Sequence, residues 1–338
     1  MSLQSLTGAW RAVSCLSQLA IGTAQPATDL LTFAGTELME PEPDTFFENT
    51  DEITGQLVPT KHQLLNMKFA GKHKAKATPT SVALFASMAM GTDTSTLIGA
   101  TTAYSHLCQM NKTIVEVPYR TLVENDGTNQ FSFTGVACTG FTISGQRGQF
   151  VEFEADLIGR ASEATDATAE PTANAESYLA YGNCDFRQGG TYNGTAVTGD
   201  ASLAAQLVNF KLSYKNGAKG IYNVGDATGN VGAVRRGLMA TVELDAEIEL
   251  VDRTQRAALL AGTEYVMHIP IIGGVANGTA HYGVDIVLPR VAFKAAKKGA
   301  KDGILSVAGK IAVFADPTYG AMDLRVTNLH TESYLATS

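Results

Sequence analysis

Residues 242–250 read VELDAEIEL, and this stretch decides the fold class. Apolar and acidic residues alternate strictly along it, with Glu243, Asp245, Glu247 and Glu249 on the acidic side. Successive side chains of a β-strand point to opposite faces of the sheet. The alternation therefore predicts a strand that buries one face and turns the acidic face to water.

The same period of two recurs along most of the chain. Further strands are predicted at residues 61–76, 149–158, 208–214, 266–272, 282–293, 304–314 and 322–329. Many alternating strands joined by turns, in a chain with 33 glycines, favour a mainly β protein built as an antiparallel sandwich or barrel.

Two short helices are predicted between the strands. Residues 80–90 follow Pro79 and end at Gly91, and their apolar residues indicate a helix with one broad buried face. Residues 252–260 begin at Asp252, a suitable N-cap, and are closed by Gly262.

Composition divides the chain into regions. Residues 161–205 are rich in Ala, Thr, Gly and Asn and lack periodicity, which predicts an insertion or a small extra subdomain. Residues 1–160 and 206–338 are then one β domain. Within it, residues 41–55 are acidic and rich in turn-forming residues, and residues 40–78 are predicted to form a long loop that includes the first of the strands above.

Charge and composition argue against several function classes. A net charge of −8 does not suit a protein that grips nucleic acid by neutralising phosphates. No run of apolar residues is long enough for a membrane span. The four cysteines lie far apart, which favours reduced residues in a protein made in a reducing cytoplasm.

Reactive residues do not form a catalytic pattern. None of the six histidines has the spacing of a metal site, and neither a phosphate-binding loop nor a nucleophile elbow occurs. We therefore expect no enzymatic activity, no metal and no cofactor.

Two acidic rows are candidate functional features. Glu152, Glu154 and Asp156 repeat, on the strand at 149–158, the pattern of the row at 242–250. Both rows fit a solvated outer face, or a wall of carboxylates that repels a polyanion so that it slides without sticking. A paired-carboxylate hydrolase is a third reading, but neighbouring acids on one strand do not face each other across a cleft.

Basic residues form two further groups. The first is predicted to occupy a hairpin tip, where it protects a sheet edge or docks on an acidic neighbour: Lys294, Lys297, Lys298 and Lys301. The second belongs to the predicted loop, whose acidic and basic halves suit pairing with another subunit: Glu48, Asp51, Glu52, Lys61, Lys68, Lys72, Lys74 and Lys76.

Three stretches together carry a resemblance to a known family. They are ENTDEITG at 48–55 with the helix ending ALFASMAMG at Gly91, GVACTGFTISG at 135–145 leading into the strand that follows it, and the order of alternating strand, short helix and long strands over 210–329. In the order of these stretches and in their residue patterns, the chain resembles the tail tube proteins of long-tailed bacteriophages.

The resemblance implies a β-sandwich or barrel of the phage tail-tube type, with one packed short helix and a long inter-subunit loop. It implies rings of six copies that stack into a hollow tube, through which DNA passes without specific binding. The partners would be other copies, the tape measure, the tail terminator and the distal tail protein. The protein would reside in the virion tail, and the acidic rows would line the lumen.

Two other classes stay open at this point. One is a contractile-injection or type VI-like tube protein, which shares the fold type. The other is a capsid-surface or carbohydrate-binding β-sandwich, which the Gly-, Tyr- and Asn-containing insertion would suit.

Overall fold

The computed structural model is mainly antiparallel β-structure, and this confirms the fold class predicted from the alternating pattern. The structure describes residues 10–14, 17–18, 20–21, 30–33, 40–48, 62–112, 116–125, 130–163, 176–203, 206–223, 230–237, 239–249, 257, 261–301 and 304–336.

The described elements are twenty-one strands, one α-helix and one short 3₁₀ segment. The strands are β1 (Trp10–Ser14), β2 (Leu30–Phe33), β3 (Glu40–Glu48), β4 (His62–Lys76), β5 (Thr94–Leu97), β6 (Tyr104–Gln109), β7 (Arg120–Asn125), β8 (Gln130–Gln146), β9 (Glu152–Glu163), β10 (Arg187–Gln188), β11 (Thr191–Tyr192), β12 (Val197–Thr198), β13 (Ala201–Ser202), β14 (Leu207–Lys215), β15 (Ala218–Tyr222), β16 (Val231–Arg236), β17 (Thr241–Glu249), β18 (Tyr265–Asn277), β19 (Ala280–Lys301), β20 (Ile304–Val313) and β21 (Asp323–Asn328). The helix is α1 (Pro79–Met90), and the 3₁₀ segment is Tyr181–Asn183.

Seven strands form one sheet, called sheet I, in the order β4–β9–β8–β14–β17–β20–β19. All neighbours in it are antiparallel. Its inward side chains are the apolar members of the predicted alternation, and Phe153, Leu212 and Leu244 are each at most 1% exposed. The strands predicted at 149–158, 208–214 and 242–250 are thereby confirmed as β9, β14 and β17.

A second sheet, called sheet II, runs in the order β5–β6–β21–β19–β18–β10–β13. Strand β19 belongs to both sheets: its first half pairs with β18 and β21, and from Val291 onward it pairs with β20. Buried residues of both sheets, such as Phe153 and Ile286, share one hydrophobic cluster. The two sheets therefore form a sandwich around a common core.

Helix α1 packs within this core. The Thr78 side chain caps its first turn and forms a capping box with Ser81, while Gly91, with φ 86°, ends it in the left-handed conformation. The predicted helix is confirmed, but the prediction of one buried face is wrong. Every residue from Pro79 to Met90 is buried, because strands of both sheets surround the helix.

Arg236 holds the C-terminal end of this helix. Its Nη2 donates hydrogen bonds to the carbonyl oxygens of Ala89 (3.1 Å) and Met90 (2.9 Å), and its Nη1 donates to that of Asn111 (2.6 Å). The last carbonyl groups of a helix have no partner within the helix. The guanidinium supplies those partners together with a charge that suits the negative end of the helix dipole.

We expect Arg236→Ala to lower the free energy of unfolding by about 2–4 kcal/mol, because several charge-assisted hydrogen bonds to buried carbonyl groups are lost together. The matched control is Arg235→Ala, since Arg235 pairs with Glu116 at the surface, where both side chains are about half exposed. That change should stay within about 0.5 kcal/mol. Urea unfolding of both variants checks the prediction, and equal losses would contradict it.

The prediction of an exposed loop at residues 41–55 is wrong for its first part. Residues 40–48 form β3, which pairs with β4 from Glu40↔Ala70 to Glu48↔His62. Pro41 and Pro43 lie two positions apart, so both missing N–H groups fall on the same edge of the strand, where proline is tolerated. The prolines suggested a turn because their sequence signal does not distinguish a loop from an edge strand.

The predicted pairing of consecutive strands before and after residues 294–301 is confirmed, but the prediction that these residues form the hairpin tip is wrong. Strand β19 continues to Lys301, which pairs with Ile304 on β20, and a bulge lies between Phe293 and Ala295. The Ala- and Lys-rich half of β19 does not alternate, so its pairing with β20 left no signal in the sequence. The second predicted helix falls, except for Ala257, outside the described residues.

The prediction of an insertion from residue 161 is wrong at its start, because residues 161–163 extend β9. The rest of its described part, residues 176–203, packs on the sandwich. Strand β10 pairs with β18 and β13, and Leu179 and Phe186 are buried in the common core. The role of the insertion stays a prediction.

Candidate functional site

The outward face of sheet I, called the polar face, brings both predicted acidic rows together. Glu154 pairs with Thr142 on β8, Thr142 with Ser213 on β14, and Ser213 with Glu243 on β17. Because directly paired residues point to the same side of a sheet, the rows on β9 and β17 share one face. Glu152, Glu243 and Asp245 are exposed, and the other four acidic residues are half-buried.

Rows of lysine alternate with the acidic rows across the polar face. They are formed by Lys72, Lys74 and Lys76 on β4, Lys211 and Lys215 on β14, and Lys310 on β20. One line of successive register partners shows the order: Lys76, Glu152, Ser144, Lys211, Asp245, Lys310. Seven carboxylates and six lysines therefore lie on one face, which is close to charge balance rather than acidic.

Several of these charges contact a partner directly. Lys72 Nζ lies 2.5 Å from Glu154 Oε1 and 3.7 Å from Asp156 Oδ1. Glu249 Oε1 lies 2.5 Å from Arg147 Nη1. Such pairs hold opposite charges side by side on the face of the sheet.

Glu247 is held by neutral partners instead. Its carboxylate accepts hydrogen bonds from Asn209 Nδ2 (2.7 Å) and Ser306 Oγ (2.8 Å). The arrangement is a broad surface of paired charges with a groove beside Asp245. Over the described residues, no cluster of three His, Cys, Asp or Glu is placed to hold a metal ion.

The basic residues predicted for the hairpin tip lie along the second half of β19. Lys294 is exposed at the bulge and lines a groove with Asp245 and Lys310. For Lys297, Lys298 and Lys301 the structure describes the backbone only. This half of β19 pairs on one side with β20, and none of the described strands pairs on its other side.

Strand β3 and the start of β4 form a projecting hairpin, called the arm (residues 40–48 and 62–68). Among the described strands, β3 pairs only with β4, and β4 begins to pair with β9 only at Phe69. The residues predicted for an inter-subunit loop are therefore divided. Glu48 and Lys68 lie in the arm, Lys72, Lys74 and Lys76 lie on the polar face, and Asp51, Glu52 and Lys61 fall outside the described residues.

The outward face of sheet II is covered by part of the predicted insertion. Tyr192 packs against Val266 and Val287 and donates a hydrogen bond to Asp323. No alternation in the sequence signalled this cover, since β11 and β12 are two residues long. The polar face has a smaller cover within the described part of the chain: next to Asp156, its Ile158 packs against the β15–β16 pair, whose Val231 and Val234 are buried.

A group of hydrogen-bonded charged residues around His268, called the His268 cluster, joins this cover to sheet II. His268 on β18 lies between Asp200 Oδ2 (2.8 Å) and Asp285 Oδ1 (2.7 Å), and Arg187 lies 3.3 Å from Asp200. Burial by itself lowers the pKa of His268, but the hydrogen bonds to Asp285 and Asp200 raise it above its ordinary value. The sequence did not predict the His268 cluster because its members are far apart in the chain.

Comparisons with known proteins agree with these features. The family model of the phage tail tube protein matches residues 16–313, which is most of the chain. No curated protein matches the chain at a significant level.

Among the described residues, no helix is long and apolar enough to cross a membrane.

Proposed function

Because the chain belongs to the phage tail tube protein family, it is a structural protein of the phage tail, and we propose how it works there. Six copies form a ring, and rings stack into a hollow tube that conducts DNA into the host. Its main partner is another copy of itself. The tape measure lies inside the tube, and the tail terminator and distal tail protein bind its ends. The role requires no catalysis.

The polar face carries this proposal. A channel for DNA needs a broad, water-facing wall without deep pockets, backed by a rigid core. Sheet I provides such a wall outside the part that the β15–β16 pair covers, since most of its outward side chains there are polar while its inward ones are almost fully buried. We place the polar face, with the rows that include Glu154 and Glu243, on the lumen of the tube.

Two further features support assembly of identical subunits. The arm projects from the sandwich, and the second half of β19 has no described strand beyond it. In a monomer such elements risk unwanted pairing, but in a ring a neighbour can cover them. We place both at contacts between copies.

Assembly of the purified chain tests the proposal. We expect electron micrographs to show hollow tubes whose number rises with protein concentration, over a range of roughly micromolar to millimolar, because many weak contacts between copies act together. Sedimentation velocity should show a fast-sedimenting species at the same concentrations. Only monomers across this range, with and without tube seeds, would contradict it.

Thiol labelling tests the placement of the polar face. Lys211 is exposed on this face, while Cys108 and Cys138 are buried and Cys184 is half-buried. Lys211→Cys is therefore made in a background that carries Cys15→Ala and Cys184→Ala, and this background alone measures unspecific labelling. In intact tubes the introduced thiol should react with a small maleimide but not with a polymer-bearing maleimide too large for the channel. Dissociated subunits, in which both reagents should react, are the control. Rapid labelling of intact tubes by the large reagent would place this face outside the channel.

A further inference from the structure

The lysine rows of the polar face have no role in an acidic channel that only repels DNA. Lys211 and Lys310 lie directly opposite Asp245, on either side of it. Lys74 likewise lies opposite Glu154. These lysines are exposed, so they meet whatever lies above the face.

We infer that the polar face is a charge-compensated wall, on which DNA phosphates make brief contacts with lysines whose charge the adjacent carboxylates cancel. This inference rests on the proposed function and concerns the same surface. It replaces net repulsion by local neutrality as the reason that a polyanion moves along the wall without being held.

The spacing of the charges supports this mechanism. Neighbouring strands lie about 4.8 Å apart, so the opposite charges on β4 and β9, and those on β14, β17 and β20, lie at close to that interval. The neutral outward side of β8 separates these two groups. The fields of the opposite charges cancel at distances greater than the interval, which is shorter than the screening length of about 8 Å at physiological salt. A lysine therefore attracts a phosphate that is in direct contact with it. At larger distances from the face, the phosphate experiences little net electric field.

Neutral substitutions separate the two kinds of charge. In the acid-to-amide variant, Glu152→Gln, Glu243→Gln and Asp245→Asn remove three exposed carboxylates and leave the lysines uncompensated. In the lysine-to-amide variant, Lys74→Gln, Lys211→Gln and Lys310→Gln remove three exposed lysines. The control carries Glu264→Gln and Glu332→Gln, two exposed acids outside sheet I.

The measurement is the rate of DNA release from virions carrying each variant, at low and high salt. We expect wild-type release to change less than about twofold between the two conditions. The acid-to-amide variant should release DNA roughly tenfold more slowly at low salt and recover at high salt, because uncompensated lysines bind phosphates in a salt-dependent way. The lysine-to-amide variant and the control should release DNA at least as fast as the wild type.

Two results would overturn the inference. One is unchanged release by the acid-to-amide variant at both salt concentrations, in virions whose tubes look normal. The other is slower release by the lysine-to-amide variant. Either leaves the tube itself in place, whereas failure of the wild-type chain to form tubes would overturn the proposed function.

Discussion

A subunit in which a short Gly/Ser turn replaces residues 41–68 is expected to fold and to form no tubes. The replaced residues include the arm except Glu40, and β3 in the arm pairs with no described strand except β4. Phe69, whose ring lies 5.8 Å from that of Phe133, is kept together with the part of β4 that pairs with β9. The core therefore stays intact, while the proposed contact with a neighbouring copy is lost.

Two measurements on the shortened subunit check this result. Thermal unfolding should remain cooperative, with a midpoint close to that of the wild type, because the arm adds no strand to the sandwich. Electron microscopy and sedimentation should find monomers at concentrations where the wild type forms tubes. Normal polymerisation of the shortened subunit would show that the arm is ordinary surface.

The sequence predicted the strands whose two faces differ and missed those whose faces do not. The alternation identifies β17 because one of its faces packs on the core and the other contacts water. Strand β3 contains two prolines, and the second half of β19 is rich in Ala and Lys. Both are held by pairing with a neighbouring strand, which is a property of the fold rather than of the segment.

The mixture of acidic and basic rows on the polar face also could not be predicted from the sequence. The acidic row on β17 is visible within nine residues, as are Lys211 and Lys215 on β14. That the two rows are neighbours depends on strand order and register, which long-range contacts set. Reading the acidic rows alone suggested a repelling wall, whereas the register reveals a balanced one.

A buried ion pair lies beneath the root of the arm. Arg11 Nη2 on β1 lies 2.5 Å from Glu124 Oε1 on β7, and both side chains are 2% exposed. Arg11 Nη1 also donates a hydrogen bond to the carbonyl oxygen of Lys72 on β4 (3.1 Å). Burial, together with the Arg11 charge, lowers the pKa of the nearby His73 to about 3. His73 is therefore neutral at neutral pH and adds no second positive charge there.

We expect Glu124→Gln to lower the free energy of unfolding by about 3–5 kcal/mol, because it leaves the Arg11 charge buried without its carboxylate. The matched control is Glu154→Gln, which breaks a pair with Lys72 at the same 2.5 Å distance, but there the two side chains are 49% and 32% exposed. Water screens that pair, so the loss should be less than about 1 kcal/mol. Replacing both buried charges, by Arg11→Met with Glu124→Leu, should recover most of the stability, since the two opposite charges of this pair are removed together. Urea unfolding at neutral pH measures all three.

Two outcomes would contradict these expectations. Similar losses of stability for Glu124→Gln and Glu154→Gln would mean that burial does not decide the strength of these pairs. A double variant no more stable than Glu124→Gln would mean that the ion pair itself, rather than the cost of leaving the Arg11 charge without its carboxylate, stabilises the root of the arm.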